Sequence, residues 1–294
     1  VKLAAIDIGS NAVRLLIVNA FEKDGQLFTQ KDLMVRVPLR LGDQVFLDGA
    51  ILPNKVEKLK KTMQSFRNMM DVCSVEHYKA CATSAMRDAA NGKEVMKMIK
   101  KQAKIEIDVI SGKKESEIIY QSLKPTLENH PDDYFINIDV GGGSTELIVL
   151  NGPKVIGVKS FQIGTIRLLN DMVEENEWDN MKNWLKKHID KKISPIGFGT
   201  GGNIRKLKKL YLTNEDFFSY PKMVKIVTHI NDMSLKDRMA IYSLRYDRAD
   251  VIAPASEIYL QCMKWGNIKK LFVPKAAGLV SGIINELFEE RKKL

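Results

Sequence analysis

Residues 5–18 and 137–150 follow one pattern: an apolar strand running into an aspartate, a turn of small residues, and a second apolar strand. A chain that carries the pattern twice, with Asp7 aligned on Asp139, is constrained toward a duplicated fold. The turns are Gly9-Ser10-Asn11 and Gly141-Gly142-Gly143-Ser144-Thr145. Three consecutive glycines cost backbone entropy that a plain hairpin has no need to bear. A phosphate cradled by backbone N–H groups does need them, because the main chain itself must approach the anion. Both turns are therefore expected to bind phosphate, with a phosphorylated ligand in a cleft between two halves.

At 294 residues and 45% hydrophobic content, the chain can bury a sizeable core and is expected to form two domains. Its net charge of +10 favours a polyanionic partner, which charge alone does not resolve into nucleic acid, membrane surface or phosphate-rich small molecule. Cys73, Cys81 and Cys262 are too few and scattered for a disulfide framework, so a reducing cytoplasm is the expected compartment. The histidines never take the His-x-x-x-His spacing of a zinc site. Apolar runs stop short of the roughly 18 residues needed to span a bilayer. The short N-terminal strand also lacks a signal-peptide cleavage pattern, and a soluble, unexported protein is expected.

Periodicity predicts an α/β chain. Residues 2–8 and 13–21 read as a hairpin, followed by a turn at Lys23-Asp24-Gly25 and a strand over 28–37. Val56, Leu59, Met63, Phe66 and Met70 recur with a helical period after Pro53. Strands are expected over 78–83 and 105–110, and helices over 92–103 and 114–123. Residues 125–133, with two prolines, are the expected interdomain crossing. Beyond the second copy come strands over 154–161, 194–198 and 269–273, and helices over 178–189, 249–265 and 278–291.

Asp7, Asp139 and Glu146 stand at the mouths of the turns. Their hard oxygens suit magnesium held by one or two carboxylates, waters and substrate phosphate, the alternative being that the aspartates only serve the turn N–H groups. Glu115 falls at an expected helix start, directly after a strand. There it either complements the helix dipole or orients or deprotonates a water attacking a terminal phosphoryl group. Arg14, Arg87 and Arg167 each lie near a small-residue turn, as bidentate phosphate ligands or as members of structural ion pairs. The turn Thr200-Gly201-Gly202 leads into Arg205, Lys206, Lys208 and Lys209, where a helix N-terminus could receive another phosphate.

Together these segments resemble the exopolyphosphatase / guanosine pentaphosphate phosphohydrolase family of the actin, sugar kinase and heat-shock chaperone superfamily. The resemblance rests on Asp7-Ile8-Gly9-Ser10-Asn11, the run from Ala82 through Arg87 to Ala89, Ile110-Ser111-Gly112 with Glu115, the run from Asp139 to Leu147, Gly199-Thr200-Gly201-Gly202, and Arg248-Ala249-Asp250. It implies two actin-like (ribonuclease H-like) α/β domains, each a mixed sheet flanked by helices, at 1–124 and 125–294, with a terminal helix from about residue 280 returning to the first. It further implies that Glu115 is the catalytic carboxylate, that the turns hold phosphate, and that a divalent cation, usually magnesium, is required.

The implied substrate is inorganic polyphosphate, with guanosine pentaphosphate as the alternative. An ATP-dependent phosphotransferase and a non-catalytic phosphate sensor stay open as other classes; no membrane or nucleic-acid partner is expected, and a homodimer is left open. Two departures bear on substrate preference. The segment Lys113-Lys114-Glu115-Ser116-Glu117 keeps one aligned acid and loses an arginine common in the family, and Ala12 replaces a hydroxyl residue. The chain stops near the expected end of the second domain and so resembles the short, two-domain branch.

The charge yields a measurable expectation. The Michaelis constant for a long polyphosphate should rise more steeply with ionic strength than that for a short one, the effect levelling off at short to intermediate lengths. Initial rates across a salt series measure it; equal slopes would separate the net charge from substrate capture.

Overall fold

The computed structural model describes residues 1–24, 26–127, 133–190 and 192–292. The chain divides into two compact units, Val1–Ser122 with Leu279–Leu294, and Leu123–Gly278. The first opens with an antiparallel meander of β1 (Lys2–Ile8), β2 (Val13–Lys23) and β3 (Gln26–Val37). Then come α1 (Leu41–Asp48), α2 (Pro53–Val72), β4 (His77–Ala82), α3 (Ser84–Asp88), α4 (Gly92–Ala103), β5 (Asp108–Val109) and α5 (Gly112–Leu127). The sheet order is β3-β2-β1-β4-β5, with β4 parallel to β1. A parallel neighbour requires a crossover connection, which α1 and α2 supply. The expected helical stripe on α2 buries Leu59, Met63, Phe66 and Met70.

The second unit repeats the plan. Its meander is β6 (Tyr134–Val140), β7 (Thr145–Asn151) and β8 (Lys154–Phe161), followed by α6 (Thr165–Leu169), α7 (Glu175–His188), β9 (Ile196–Thr200) and α8 (Gly202–Tyr211). The remainder is β10 (Phe217–Ser219), α9 (Tyr220–Asp232), α10 (Leu235–Tyr242), α11 (Tyr246–Ala249), α12 (Ile252–Trp265) and β11 (Lys270–Phe272). The order β8-β7-β6-β9-β11-β10 matches the first sheet strand for strand, with β10 added antiparallel at the far edge. This is the actin-like arrangement, present twice. Alternate residues of β6 and β7, among them Ile136, Ile138, Leu147 and Val149, share a core with Ile258, Tyr259 and Cys262 of α12. Burial pushes the Cys81 and Cys262 thiols up to about 12, which makes them core residues rather than nucleophiles. No described helix is long and apolar enough to cross a membrane.

Several local expectations are corrected. The strand foreseen over 105–110 pairs only at Asp108–Val109. Helix α5 continues through Pro125 to Leu127, where a crossing was expected. Residues 128–132 of that segment, and Gly25 of the expected hairpin turn, lie outside the described residues. Proline has no N–H to donate to the carbonyl four residues earlier, that of Gln121. Asn285 Nδ2 donates to that carbonyl instead, at 3.3 Å. The helix foreseen over 249–265 resolves into α11 and α12. The short helices α1, α3 and α6 were not foreseen, because five to eight residues hold too little of a period to stand out.

Asn285 belongs to α13 (Leu279–Arg291), which lies in the first unit although it follows the second in sequence. At Gly282 the helix comes so near α5 that a Cβ would stand 2.1 Å from the Ile118 carbonyl oxygen. One turn on, Glu286 receives Lys114 Nζ at 2.5 Å and Lys79 Nζ at 2.7 Å, and Lys79 also reaches Glu290 at 3.0 Å. Burial alone would raise the Glu286 carboxyl, but hydrogen bonds from Lys114 and Lys79 outweigh it and hold the group below its ordinary 4.5. Burial likewise opposes the charge on Lys79, yet its two carboxylate partners bring it up to about 12.

A depressed carboxylate stabilises the fold above its unfolded-state value, and that stability is lost as pH falls through the folded one. Glu286→Gln should lower the unfolding free energy by about 1–2 kcal/mol at pH 7. The gap to the parent should close as pH drops below 4.5. Urea titrations at several pH values check this, and a gap independent of pH would assign the effect to packing instead.

Candidate active site

In the Gly141–Thr145 turn, the three glycine carbonyls have partners on one side. Gly141 O accepts from Thr165 N at 3.0 Å, Gly142 O from Ile166 N at 2.8 Å, and Gly143 O from Arg167 Nε at 2.8 Å. In a planar trans peptide, the carbonyl and the following N–H point in opposite directions. Pinning three carbonyls toward α6 therefore turns the amides of Gly142, Gly143 and Ser144 the other way, into the concave array of donors that an anion requires. Gly164 makes this possible, since a Cβ there would fall 2.4 Å from the Gly142 oxygen.

The first turn is built alike. Gly9 N donates to Ala12 O at 3.2 Å, as Gly141 N does to Ser144 O at 2.9 Å. Ser10 O and Asn11 O accept from Gly42 N and Arg40 N, both at 2.9 Å, so the amides of Asn11 and Ala12 are the ones turned outward. Ser10 Oγ lies 2.8 Å from Ser84 Oγ, which brings the start of α3 to this turn. Ser84 belongs to a segment that the resemblance singled out, but it was not among the expected ligands.

The carboxylates differ between the copies. Asp7, nearly fully buried, receives Arg14 Nη1 at 2.8 Å. Burial raises its carboxyl above the ordinary value, and the guanidinium offsets this only in part. Asp139 is instead paired in register with Glu146 across β6 and β7, so two carboxylates share one face at the second turn. One oxygen of Glu146 accepts from Ser144 Oγ at 2.7 Å and from Ser160 Oγ at 2.8 Å. Ser160 was also not foreseen; it lies opposite Glu146 on β8, a relation that appears only with the strand register.

The third turn ends β9. Gly201 adopts φ +93°, and a Cβ there would lie 2.7 Å from Asp139 Oδ1, so Gly201 and Gly202 open α8 against that carboxylate. Tyr259 Oη donates to Thr200 O at 2.5 Å. Burial, with the Asp139 charge nearby, pushes this hydroxyl well above its ordinary value and keeps it a donor. On α8 the Lys206 ammonium is lowered, first by burial and then by Lys209 and Arg248, which marks a concentration of cations beside the turn.

Glu115 sits in the first turn of α5, 9% exposed, and its N–H donates to Ser111 O at 2.9 Å. Ser111 Oγ accepts the Lys114 N–H at 3.1 Å and so caps the helix that carries it. All four arginines near the turns have protein partners: Arg14 on Asp7, Arg87 Nη1 on Ile110 O at 2.9 Å, and Arg167 behind the second turn. The fourth, Arg205, donates to Ala277 O. Backbone amides, rather than guanidinium groups, are what the described turns present.

A Cβ at position 164 would push the Gly142 carbonyl off α6 and spoil the amide array. Gly164→Ala should therefore weaken pyrophosphate binding about tenfold or more while the near-ultraviolet circular dichroism stays native. Isothermal titration measures it, and parental affinity in the folded variant would separate α6 from the cradle.

A model of the Ppx/GppA phosphatase family matches residues 33–287. The bifunctional 3-dehydroquinate synthase/phosphatase of Fusobacterium nucleatum is 30% identical over 201 residues, 63% of this chain and 30% of that protein. Exopolyphosphatase 1 of Mycobacterium tuberculosis is 29% identical over 146 residues, 50% of this chain and 41% of that protein. The matches thus cover well under two thirds of these relatives' length. The crystal structure of the Aquifex aeolicus member of the Ppx/GppA family superposes with a TM-score of 0.75 at 26% identity, covering 99% of this chain and 98% of that one. With the duplicated sheets and the two amide-lined turns, these matches identify the chain as a member of the Ppx/GppA phosphatase family.

Proposed function

We propose that this protein is an exopolyphosphatase, hydrolysing the terminal phosphoanhydride of inorganic polyphosphate with the help of a divalent cation. The observation that carries the reading is the row of outward amides at Gly142, Gly143 and Ser144 beside the opposed carboxylates Asp139 and Glu146. A row of amides fits the several oxygens of a phosphate chain and asks nothing of a base or sugar.

The donor set also fits a divalent cation. Among the described residues no three acidic, histidine or cysteine side chains gather into a metal cage. Magnesium characteristically uses one or two carboxylates and fills its shell with water and phosphate oxygens. Asp139 and Glu146 would hold it, whereas Asp7 already carries a guanidinium. When bound, the cation would neutralise charge developing on the phosphate oxygens.

The protein's own groups act on the substrate as follows. The amides of the second turn bind the terminal phosphoryl group and stabilise its charge as the P–O bond loosens. Glu115 accepts a proton from the attacking water, whose oxygen bonds to the terminal phosphorus as the bridging P–O bond breaks. Orthophosphate and a chain shorter by one phosphate result. Burial at the start of α5 restricts the rotamers that Glu115 can adopt. The free thiols at Cys73, Cys81 and Cys262 suit a reducing cytoplasm as the setting.

Phosphate release is to be assayed on polyphosphates of several lengths, guanosine pentaphosphate and ATP, with and without magnesium. Polyphosphate should give the highest kcat/KM, and a clear preference for guanosine pentaphosphate would transfer the reading to the nucleotide. Glu115→Gln should lower kcat by ~10²-fold or more with substrate affinity nearly unchanged. Turnover within a few-fold of the parent would remove Glu115 from the proton transfer.

A further inference from the structure

Each outward amide at the first two turns depends on a partner that holds the preceding carbonyl. At the second turn those partners are the backbone of α6 and the Arg167 side chain. The third turn is preceded by Thr200, whose carbonyl takes the Tyr259 hydroxyl at 2.5 Å. By the same peptide geometry this aims the Gly201 N–H away from α12. The Val140 oxygen would stand 3.5 Å from a Cβ at Gly201, which places the end of β6 beside this peptide. Asp139 and Thr200 are register partners on the parallel strands β6 and β9, and Val140 is the last residue before the second turn. One fully buried phenol therefore holds the strand end from which the third turn departs, beside the strand end from which the second departs.

We infer that Tyr259 is a positioning residue for phosphate binding: it fixes the Thr200–Gly201 peptide and the spacing between the amides of Gly142–Ser144 and those of Gly201–Gly202. This rests on the proposed phosphate-binding role of the turns, not on which phosphoanhydride is cleaved. The phenol never touches the ligand. It acts by removing the freedom of one peptide to flip, which in the φ-positive setting of Gly201 has no Cβ to oppose it. The packing against Asp139 closes the junction from the other side.

The test uses the full chain and methylenediphosphonate, which cannot be hydrolysed, with magnesium chloride present. Tyr259→Phe keeps the ring in the core and deletes the hydroxyl. It should weaken methylenediphosphonate binding about tenfold by isothermal titration and raise KM for tripolyphosphate by a similar factor, with kcat within about threefold of the parent. Tyr242→Phe, which removes a hydroxyl bonded to Tyr211 and His229 on other helices of the same unit, should lower thermal stability and leave this affinity unchanged. Gly201→Ala disturbs the same peptide without altering the phenol and should reproduce the affinity loss, which keeps the test open if Tyr259→Phe folds poorly.

Affinity within twofold of the parent in a folded Tyr259→Phe or Gly201→Ala protein would overturn the inference. So would an equal loss in Tyr242→Phe, because the effect would then be general destabilisation. Failure of the parent to hydrolyse polyphosphate would refute the substrate reading alone, since the binding measurement requires no turnover.

Discussion

A trans peptide cannot present its carbonyl and the next N–H on the same side, and the glycine-rich turns of this protein depend on that constraint. An isolated glycine-rich loop samples many peptide orientations and would bind an anion only after paying for order. Here the order is built before the ligand arrives. Three carbonyls of the second turn are bonded to α6 and Arg167, two of the first to the segment that opens α1, and one of the third to Tyr259. The short helix α6 thus matters for where it begins rather than for its five residues of length. Gly164 is required because the carbonyl of Gly142 occupies the space its side chain would need.

Duplication made two such cradles, and the side chains then diverged at one register position. Arg14 and Glu146 occupy corresponding places, each opposite the aspartate of its own hairpin. In the first unit the result is an ion pair that neutralises Asp7; in the second it is a pair of carboxylates with Glu146 steadied by two serine hydroxyls. Two equivalent backbones thereby acquire opposite electrostatic roles. On the proposed reading the first turn would accept anionic oxygens without a cation, whereas the second, with two carboxylates beside its amides, would favour a ligand that brings a cation with it.

The repeat at Asp7 and Asp139 made the duplicated sheet legible, because both the strand alternation and the glycine turn survive in the sequence. The α2 stripe was legible for the same reason of period. What escaped were contacts between residues far apart in the chain. Ser160 meets Glu146 only through the β7–β8 register, and Tyr259 meets Thr200 only once α12 has crossed under the sheet. Tyr259 lies on the buried helix face with Ala255, Ile258 and Cys262, where its pattern is that of any core aromatic. Pro125 misled for a related reason. Its local meaning is a helix stop, but the orphaned Gln121 carbonyl finds Asn285 more than a hundred residues later.

That distant contact has a consequence for how the first unit forms. Helix α5, which carries Glu115, is held along its length by α13: Glu286 on Lys114, Gly282 against Ile118, Asn285 on Gln121. All three partners come from the segment after Gly278, so the second unit is synthesised before the first can be completed. Chains grow from the N-terminus, and closing such a distant contact carries a loop-entropy cost that a local contact does not. Until α13 docks, the start of α5 lacks its carboxylate anchor at Glu286, and the face of β1 that α13 covers stays open. The placement of the start of α5 is thus completed late, by residues far from it in sequence. The free energy that fixes it comes from one close backbone crossing at Gly282 and one carboxylate shared by two lysines, rather than from the helix itself.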